Sequence, residues 1–421
     1  MSSPVWHPFT QHGLKEAIPQ IVSASGAWLI CADDTRLLDC ISSWWVITHG
    51  HCEPRIAAAI AAQASQLDQV IFAGYTHPQA EAVARGLVEI APPGLDHVFF
   101  SDSGSTAVEV ALKMALGHWH NRGEPRHRIL VMEHSYHGDT IGAMSVGARG
   151  VFNRAYEPLL FDVATVPFPA AGAEQVSLDA LELLCRAPEK PAAFIAEPLI
   201  LGAGGMLVYP PAVLRQMREI CARHDVLFIA DEVMTGWGRT GTLFACEQAA
   251  ISPDILCLAK GLTGGAVPLA ATLASAAIFA SHYSESRVNM FFHSSSFTAN
   301  AIGCAAANAN LAIWRAEDVP GRIDALGAAL DAGLASLAGH RGLANPRRIG
   351  GIAAIDLVVP DAGYLSDVAP ALRARFLAEG LLLRPLGNTI YHMPPYCTGA
   401  DDIARAFAAI GNAAEDLATR G

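Results

Sequence analysis

Two charged side chains close short apolar runs in the middle of the chain. Val226-Leu-Phe-Ile-Ala230 is followed by Asp231-Glu232, and Asp254-Ile-Leu-Cys-Leu-Ala259 is followed by Lys260-Gly-Leu-Thr-Gly-Gly265. Each run reads as a strand buried on both faces whose C-terminal end delivers a charge to a site. A lysine there is partly desolvated, which lowers its pKa and makes the amine nucleophilic. A nucleophilic amine and a carboxylate able to keep a heterocyclic nitrogen protonated are what pyridoxal phosphate (PLP) requires of a protein. A buried Lys–Asp ion pair with no chemistry is the alternative reading of these two residues alone.

The surrounding segments add groups of the same kind. His97-Val-Phe-Phe100 reads as a strand, then Ser101-Asp-Ser-Gly-Ser105 as a turn, then Val108–Trp119 as a helix, with Thr106 and Glu109 spaced as a capping box. A Gly-Ser turn at a helix N-terminus offers free amides to a phosphate, or is simply an ordinary cap. Strand Arg128–Met132 leads to His134-Ser-Tyr136-His137-Gly138-Asp139, where an aromatic ring is available to stack on a cofactor. His134 and His137 lack a further ligand set, so no metal is expected. Ala192–Ala196 is another apolar run, and it ends in Glu197-Pro198.

Around these segments strands alternate with helices such as Pro54–Leu67 and Pro211–His224. The pattern predicts an α/β fold: a mostly parallel sheet between helices, with sites at the strands' carboxyl ends. Residues 51–310 are expected to form this large α/β/α domain. Residues 311–421, with Glu317–Gly339 as an exposed helix, form a small α+β domain completed by an arm at 1–50. That arm carries Trp6-His-Pro-Phe-Thr10 as a loop, a hairpin at Ala27–Cys31 and Arg36–Asp39, and Ile41–Thr48 as a strand. In a strand, Trp44 and Trp45 face opposite sides, so one is core. The other is core as well, or meets a ligand or a partner subunit.

The chain has 421 residues, 52% hydrophobic and 16% charged, which fits two packed domains and excludes disorder. A net charge of −12 leaves no basic surface for nucleic acid. Nine scattered cysteines without a C-x-x-C pair indicate reduced thiols in a cytoplasmic protein. The first twenty residues do not read as a signal peptide. The uncharged run Gly261–Ser284 is broken by Gly and Pro and reads as strand and loop, not as a membrane span. No G-x-G-x-x-G follows a strand at the place a dinucleotide site requires, and no G-x-S-x-G elbow is present.

Taken together, the sequence resembles the class III, fold-type I PLP-dependent aminotransferases over nearly its whole length. The motifs are Trp6-His-Pro-Phe-Thr10, Ser42-Ser-Trp-Trp45, Asp102-Ser-Gly-Ser105, Tyr136-His-Gly-Asp139, Gly202-Ala-Gly-Gly-Met206, Ala230-Asp-Glu232, Gly236-Trp-Gly-Arg-Thr-Gly241, Cys257-Leu-Ala-Lys260 and Arg384-Pro-Leu-Gly387. The resemblance implies Lys260 as Schiff-base lysine and proton shuttle, Asp231 on the pyridinium nitrogen, and Tyr136 over the ring. It implies Gly104 and Ser105 on the phosphate, with Ser295 and Ser296 donated by the neighbouring subunit of a homodimer. Trp44, Tyr136, Lys260, Ser294 and Arg384 line the substrate pocket. The closer match is to the biotin-synthesis branch, which implies 8-amino-7-oxononanoate as amino acceptor. The donor is S-adenosylmethionine or, in one branch, lysine. Phe9 stands where many relatives have Tyr. Another ω-amino acid aminotransferase, an aminomutase or a decarboxylase would share the Asp–Lys core.

Overall fold

In a computed structural model the chain is described over residues 3–420, apart from 361, 362, 364, 365 and 367. Seven strands form the main sheet, in the order Leu95–Ser101, Ala270–Ser275, Ile255–Leu258, Leu227–Asp231, Ala193–Ala196, Ile129–Met132, Val163–Val166. All run parallel except Ala270–Ser275, which is antiparallel to both of its neighbours. Both faces are covered. Phe194 and Phe228 enter one hydrophobic cluster, while the adjacent Ile195 and Ile229 enter another on the opposite side. This alternation is why the strands read as unbroken apolar runs. The α/β class expected from the sequence is therefore the class observed.

The two ends of the chain pack together. Strand Leu381–Leu382 pairs in parallel with Arg36–Asp39, which belongs to the hairpin with Trp28–Cys31. A separate three-stranded sheet joins Leu343–Ile349, Ile352–Leu357 and Thr389–His392. A third core cluster, including Trp45, Ile355, Tyr391 and Phe407, lies under these elements.

Three local expectations are corrected. Ile41–Thr48 is not a strand: Ser42–Trp45 is a tight helical turn with Ser42, Ser43 and Trp45 at positive φ. The Asp39 carboxylate accepts from Ile41 N and Ser43 N, which folds the backbone back and overrides the β preference of Ile and Trp. The capping box lies one turn earlier than predicted, between Ser103 and Thr106. Glu109 instead accepts from Gly142 N (2.8 Å) and Ala143 N (3.2 Å), capping the neighbouring helix Ile141–Ser145. Helix Val319–Ser336 is not exposed all round, because Val319, Ile323, Leu326 and Leu330 are core residues.

All nine cysteines are free. Among the described residues no helix is long and apolar enough to cross a membrane; Gly261–Ser284 holds a turn, the strand Ala270–Ser275 and the helix Ala276–His282.

The turn at Gly350 docks on the loop that carries Arg239: Gly351 N donates to Arg239 O. Gly350 has φ +50°, and a Cβ there would lie 2.2 Å from Gly241 N and 2.6 Å from Arg239 O. These neighbours are backbone, so no side-chain rotation relieves the clash. Gly350→Ala is expected to cost at least about 2 kcal/mol in a urea-unfolding titration.

Candidate active site

The carboxyl ends of the parallel strands converge on one cavity of about 470 Å³. Its lining includes Ser103, Gly104 and Ser105 after the first sheet strand, Tyr136–Gly138 after the Ile129–Met132 strand, Glu197, Asp231 and Lys260. Helix Gly104–Asn121 begins at this wall. The N–H groups of Gly104 and Ser105 lie in its first turn, where no helical carbonyl can accept from them. Gly104 lets the helix start pack against Val233: a Cβ there would stand 2.6 Å from Val233 Cγ1. Gly138 (φ +131°) packs so closely that a Cβ would meet Ser105 Oγ at 2.1 Å. The result is a small, amide-lined recess that suits a phosphate.

Asp231 is buried and fixed from two directions. Val233 N donates to Oδ1 at 3.0 Å, and His137 Nδ1 lies 2.6 Å from Oδ2. The other ring nitrogen of His137 is buried without a partner among the described residues. Glu197 accepts from Tyr136 N (2.9 Å) and Gly202 N (3.0 Å), and so holds the Tyr136 segment against the sheet. Burial raises the Glu197 carboxyl to about 7, with Asp231 adding to the rise and His137 opposing it. Burial, reinforced by Asp139, also raises the Tyr136 hydroxyl, keeping it neutral.

Lys260 sits two residues beyond the end of its strand, at φ +46° in a 3-10 turn. A non-glycine residue in that conformation stores roughly 1–3 kcal/mol. Its Nζ lies over the Trp45 ring, 4.7 Å from the centroid. No ion pair joins Lys260 to Asp231 among the described residues, which removes the simple ion-pair reading; His137 is the partner of Asp231. Burial lowers the Lys260 amine to about 8, against the upward pull of Asp231 and Glu197.

At the mouth of the cavity Arg384 lies beside two aromatic rings that also touch each other. Its guanidinium carbon is 5.1 Å from the Trp44 centroid and 6.0 Å from that of Phe9, and Nη2 donates to Phe9 O at 3.3 Å. No carboxylate of the described residues pairs with it, so its outer edge is open to an acid. Trp44 is 45% exposed, whereas Trp45 is buried and donates from Nε1 to Tyr391 Oη.

Most of the residues singled out from sequence therefore meet: Trp44, Gly104, Ser105, Tyr136, Asp231, Lys260 and Arg384 all line the cavity. Ser294, Ser295 and Ser296 do not. Their segment is tied to Thr298 and, through Ser296 O, to Gln69. Residues given no site role from sequence are His137, Glu197 and Trp45. Glu197 carried a readable signal, since it ends a buried apolar run just as Asp231 does. His137 was visible only as a possible metal ligand.

The class III aminotransferase family matches residues 10–414. The chain belongs to that family. An adenosylmethionine-8-amino-7-oxononanoate aminotransferase of Synechococcus elongatus is 47% identical to this class III aminotransferase, over 98% of this chain and 99% of that protein. A protein of the same name from Geobacter sulfurreducens is 40% identical, covering 95% and 93%. Among solved structures, the one so named from Methanocaldococcus jannaschii has a TM-score of 0.93 at 32% identity, covering 98% of this chain and 97% of that one. An amine transaminase from an uncultivated Pseudomonas species, in a PLP-bound form, gives the same score and identity, with 99% of both chains covered. The cofactor of this aminotransferase is PLP.

The Lys260 amine sets a pH dependence that is measurable without cofactor. Its folded pKa of about 8 lies below the ordinary 10.5, so between these values the unfolded chain binds more protons. Stability from this group is thus lowest below pH 8 and recovers as the pH rises toward 10.5. Cofactor-free Lys260→Met is expected to melt a few degrees above the cofactor-free wild type at pH 7. That difference is expected to shrink steadily by pH 10, as followed by calorimetry.

Proposed function

We propose that this enzyme transfers an amino group to 8-amino-7-oxononanoate, giving 7,8-diaminononanoate, with S-adenosylmethionine as donor. The observation that carries the reading is Arg384, a guanidinium without a carboxylate partner among the described residues, stacked on Trp44 at the mouth of a cavity whose floor holds Lys260 and Asp231. An acceptor with a carboxylate at one end and a ketone near the other can reach an anion site at the mouth and an amine within the same cavity. The names of the relatives at 47% and 40% identity point the same way.

The residues present fit PLP. The glycine-lined recess at Gly104 and Ser105 suits its phosphate, the Tyr136 side chain offers a face for its ring, and the buried Asp231 carboxylate suits its ring nitrogen. When bound, PLP supplies an aldehyde that condenses with amines and a pyridinium ring that accepts the electron pair left at Cα. Asp231, clamped by His137 and Val233 N, would hold that ring nitrogen in its protonated form. Lys260 Nζ would be the amine that holds the aldehyde. As a free amine it would act as general base and then general acid, taking the proton from the substrate's Cα and delivering it to the cofactor's former aldehyde carbon. An amine poised near 8 performs both halves close to neutral pH. Arg384 binds the acceptor's carboxylate through its fork, and Trp44 orients the chain between.

We further infer a homodimer in which Ser295 and Ser296 reach the phosphate recess of the partner subunit. Their segment lies outside the cavity of its own chain and is flanked by Phe292 and Phe297, which are 62% and 60% exposed. Ile71 and Tyr75 are exposed on the segment that follows Gln69, to which Ser296 is tied. Together they make an apolar patch of the kind that subunit contacts cover.

The test is a coupled assay for 7,8-diaminononanoate with S-adenosylmethionine and lysine offered separately. S-adenosylmethionine is expected to support turnover; activity with lysine alone would reassign the donor. Failure of both, beside rapid amination of other ketones, would favour an amine transaminase like the Pseudomonas neighbour. Lys260→Ala is expected to abolish turnover. Arg384→Ala is expected to raise the acceptor KM on the order of 10²-fold with a smaller change in kcat, since it removes a charge-assisted pair. Phe297→Asp is expected to sediment as a monomer and to lose PLP on gel filtration.

A further inference from the structure

We propose that Asp39 is a positioning residue for this site, acting through the Ser42–Trp45 turn and touching neither substrate nor cofactor. Asp39 is the last residue of strand Arg36–Asp39 and has no solvent exposure. Oδ1 accepts from Ile41 N (3.2 Å) and Ser43 N (2.8 Å). Oδ2 accepts from Ser43 N (2.6 Å) and Ser43 Oγ (3.2 Å) and lies 2.7 Å from His51 Nε2. Its lone pairs are thus taken up by the turn and by His51, and nothing is left for a ligand. His51 is itself fixed, because its backbone exchanges two hydrogen bonds with Gly26 on the adjoining hairpin.

The turn needs such a clamp. Ser42, Ser43 and Trp45 hold φ of +53°, +59° and +66°, a conformation non-glycine side chains seldom adopt. Three residues so close together stay there only where surrounding bonds over-determine them. Asp39 grips the turn from one side. From the other, Ser42 Oγ donates to Met393 O (2.8 Å) and Trp45 Nε1 to Tyr391 Oη (2.9 Å). The turn displays two aromatic contacts of the site. Trp44 lies against Arg384 at 5.1 Å, and Trp45 lies under Lys260 Nζ at 4.7 Å. One buried carboxylate therefore sets the wall of the acid-binding mouth and the floor beneath the reactive amine together.

Asn at position 39 has the same shape, but its amide group offers a donor where Ser43 or His51 also donates. The inference rests on the assignment of Trp44 and Arg384 to substrate binding, and a double-mutant cycle on the holoenzyme tests it. The readout is the loss of the cofactor's visible band on mixing with an amine, resolved into a maximal rate and a half-saturating concentration. Two amines are used: 7,8-diaminononanoate, which carries a carboxylate, and 1-phenylethylamine, which does not. Asp39→Asn and Trp44→Ala are each expected to raise half-saturation by the diamine about 10-fold, and together to be at most about 3-fold worse than the larger single effect. His51→Gln, which keeps a donor toward Asp39, is expected to stay within about 3-fold of wild type, and His51→Leu to follow Asp39→Asn. Effects that multiply in the double variant would overturn the proposal. So would an Asp39→Asn protein of lowered Tm whose saturation is unchanged below its melt. A wild type inert toward the diamine but active on 1-phenylethylamine would instead remove the acceptor assigned above. The cycle is then read on the maximal rate with 1-phenylethylamine, using Trp45→Phe in place of Trp44→Ala, and the same non-additivity decides.

Discussion

Holding an acid and an amine out of water, at the ends of adjacent strands, is the constraint that most of this molecule answers. Asp231 and Lys260 do not neutralise one another. Asp231 is held by His137 and a backbone amide, and Lys260 rests on the face of Trp45. A direct ion pair would have been the easier way to bury two charges, but it would leave neither free to act. Keeping them apart calls for a second set of partners, and those partners determine the loops. His137 must follow the Ile129–Met132 strand, so the Tyr136–Gly138 segment is pinned beneath the site. Glu197, at the end of the next strand, holds the backbone of that same segment.

Arg239 extends this logic away from the cavity. It is almost fully buried and has no carboxylate partner among the described residues; it donates instead to the carbonyls of Trp45, Ile47 and Pro394. Burial accordingly depresses its pKa. A guanidinium spread over three carbonyls is a rigid joint, because its planar fork fixes the angles between them. It joins the loop after the Asp231 strand to segments from both ends of the chain, and so ties that strand to the aromatic turn.

The parts of this arrangement that sequence made legible are those governed by local rules. Apolar runs ending in Asp231 and Lys260 showed the sheet and its two charges, because strands buried on both faces leave an unbroken pattern. The Ser103–Ser105 turn showed a helix N-terminus. The parts it concealed depend on contacts distant in the chain. Ile41–Thr48 has the composition of a strand, and only a carboxylate two residues upstream, with hydrogen bonds to Tyr391 and Met393, makes it a turn. The capping box at Thr106 and Glu109 fitted its motif, yet Glu109 was drawn to the neighbouring helix. The roles of His137 and Glu197 follow from strand order, which no local window contains.

The separation between chemistry and selectivity follows from the same geometry. Asp231, Lys260 and the recess at Gly104 and Ser105 all belong to the central sheet and its loops. The mouth is built from elsewhere: Phe9 from the N-terminal arm, Trp44 from the strained turn, and Arg384 from just beyond a strand near the other end of the chain. Phe9 and Arg384 are 375 residues apart in sequence and meet because Leu381–Leu382 completes the sheet begun by the N-terminal hairpin. A change at Phe9 or Arg384 therefore reshapes the mouth while leaving the partners of Asp231 and Lys260 in place.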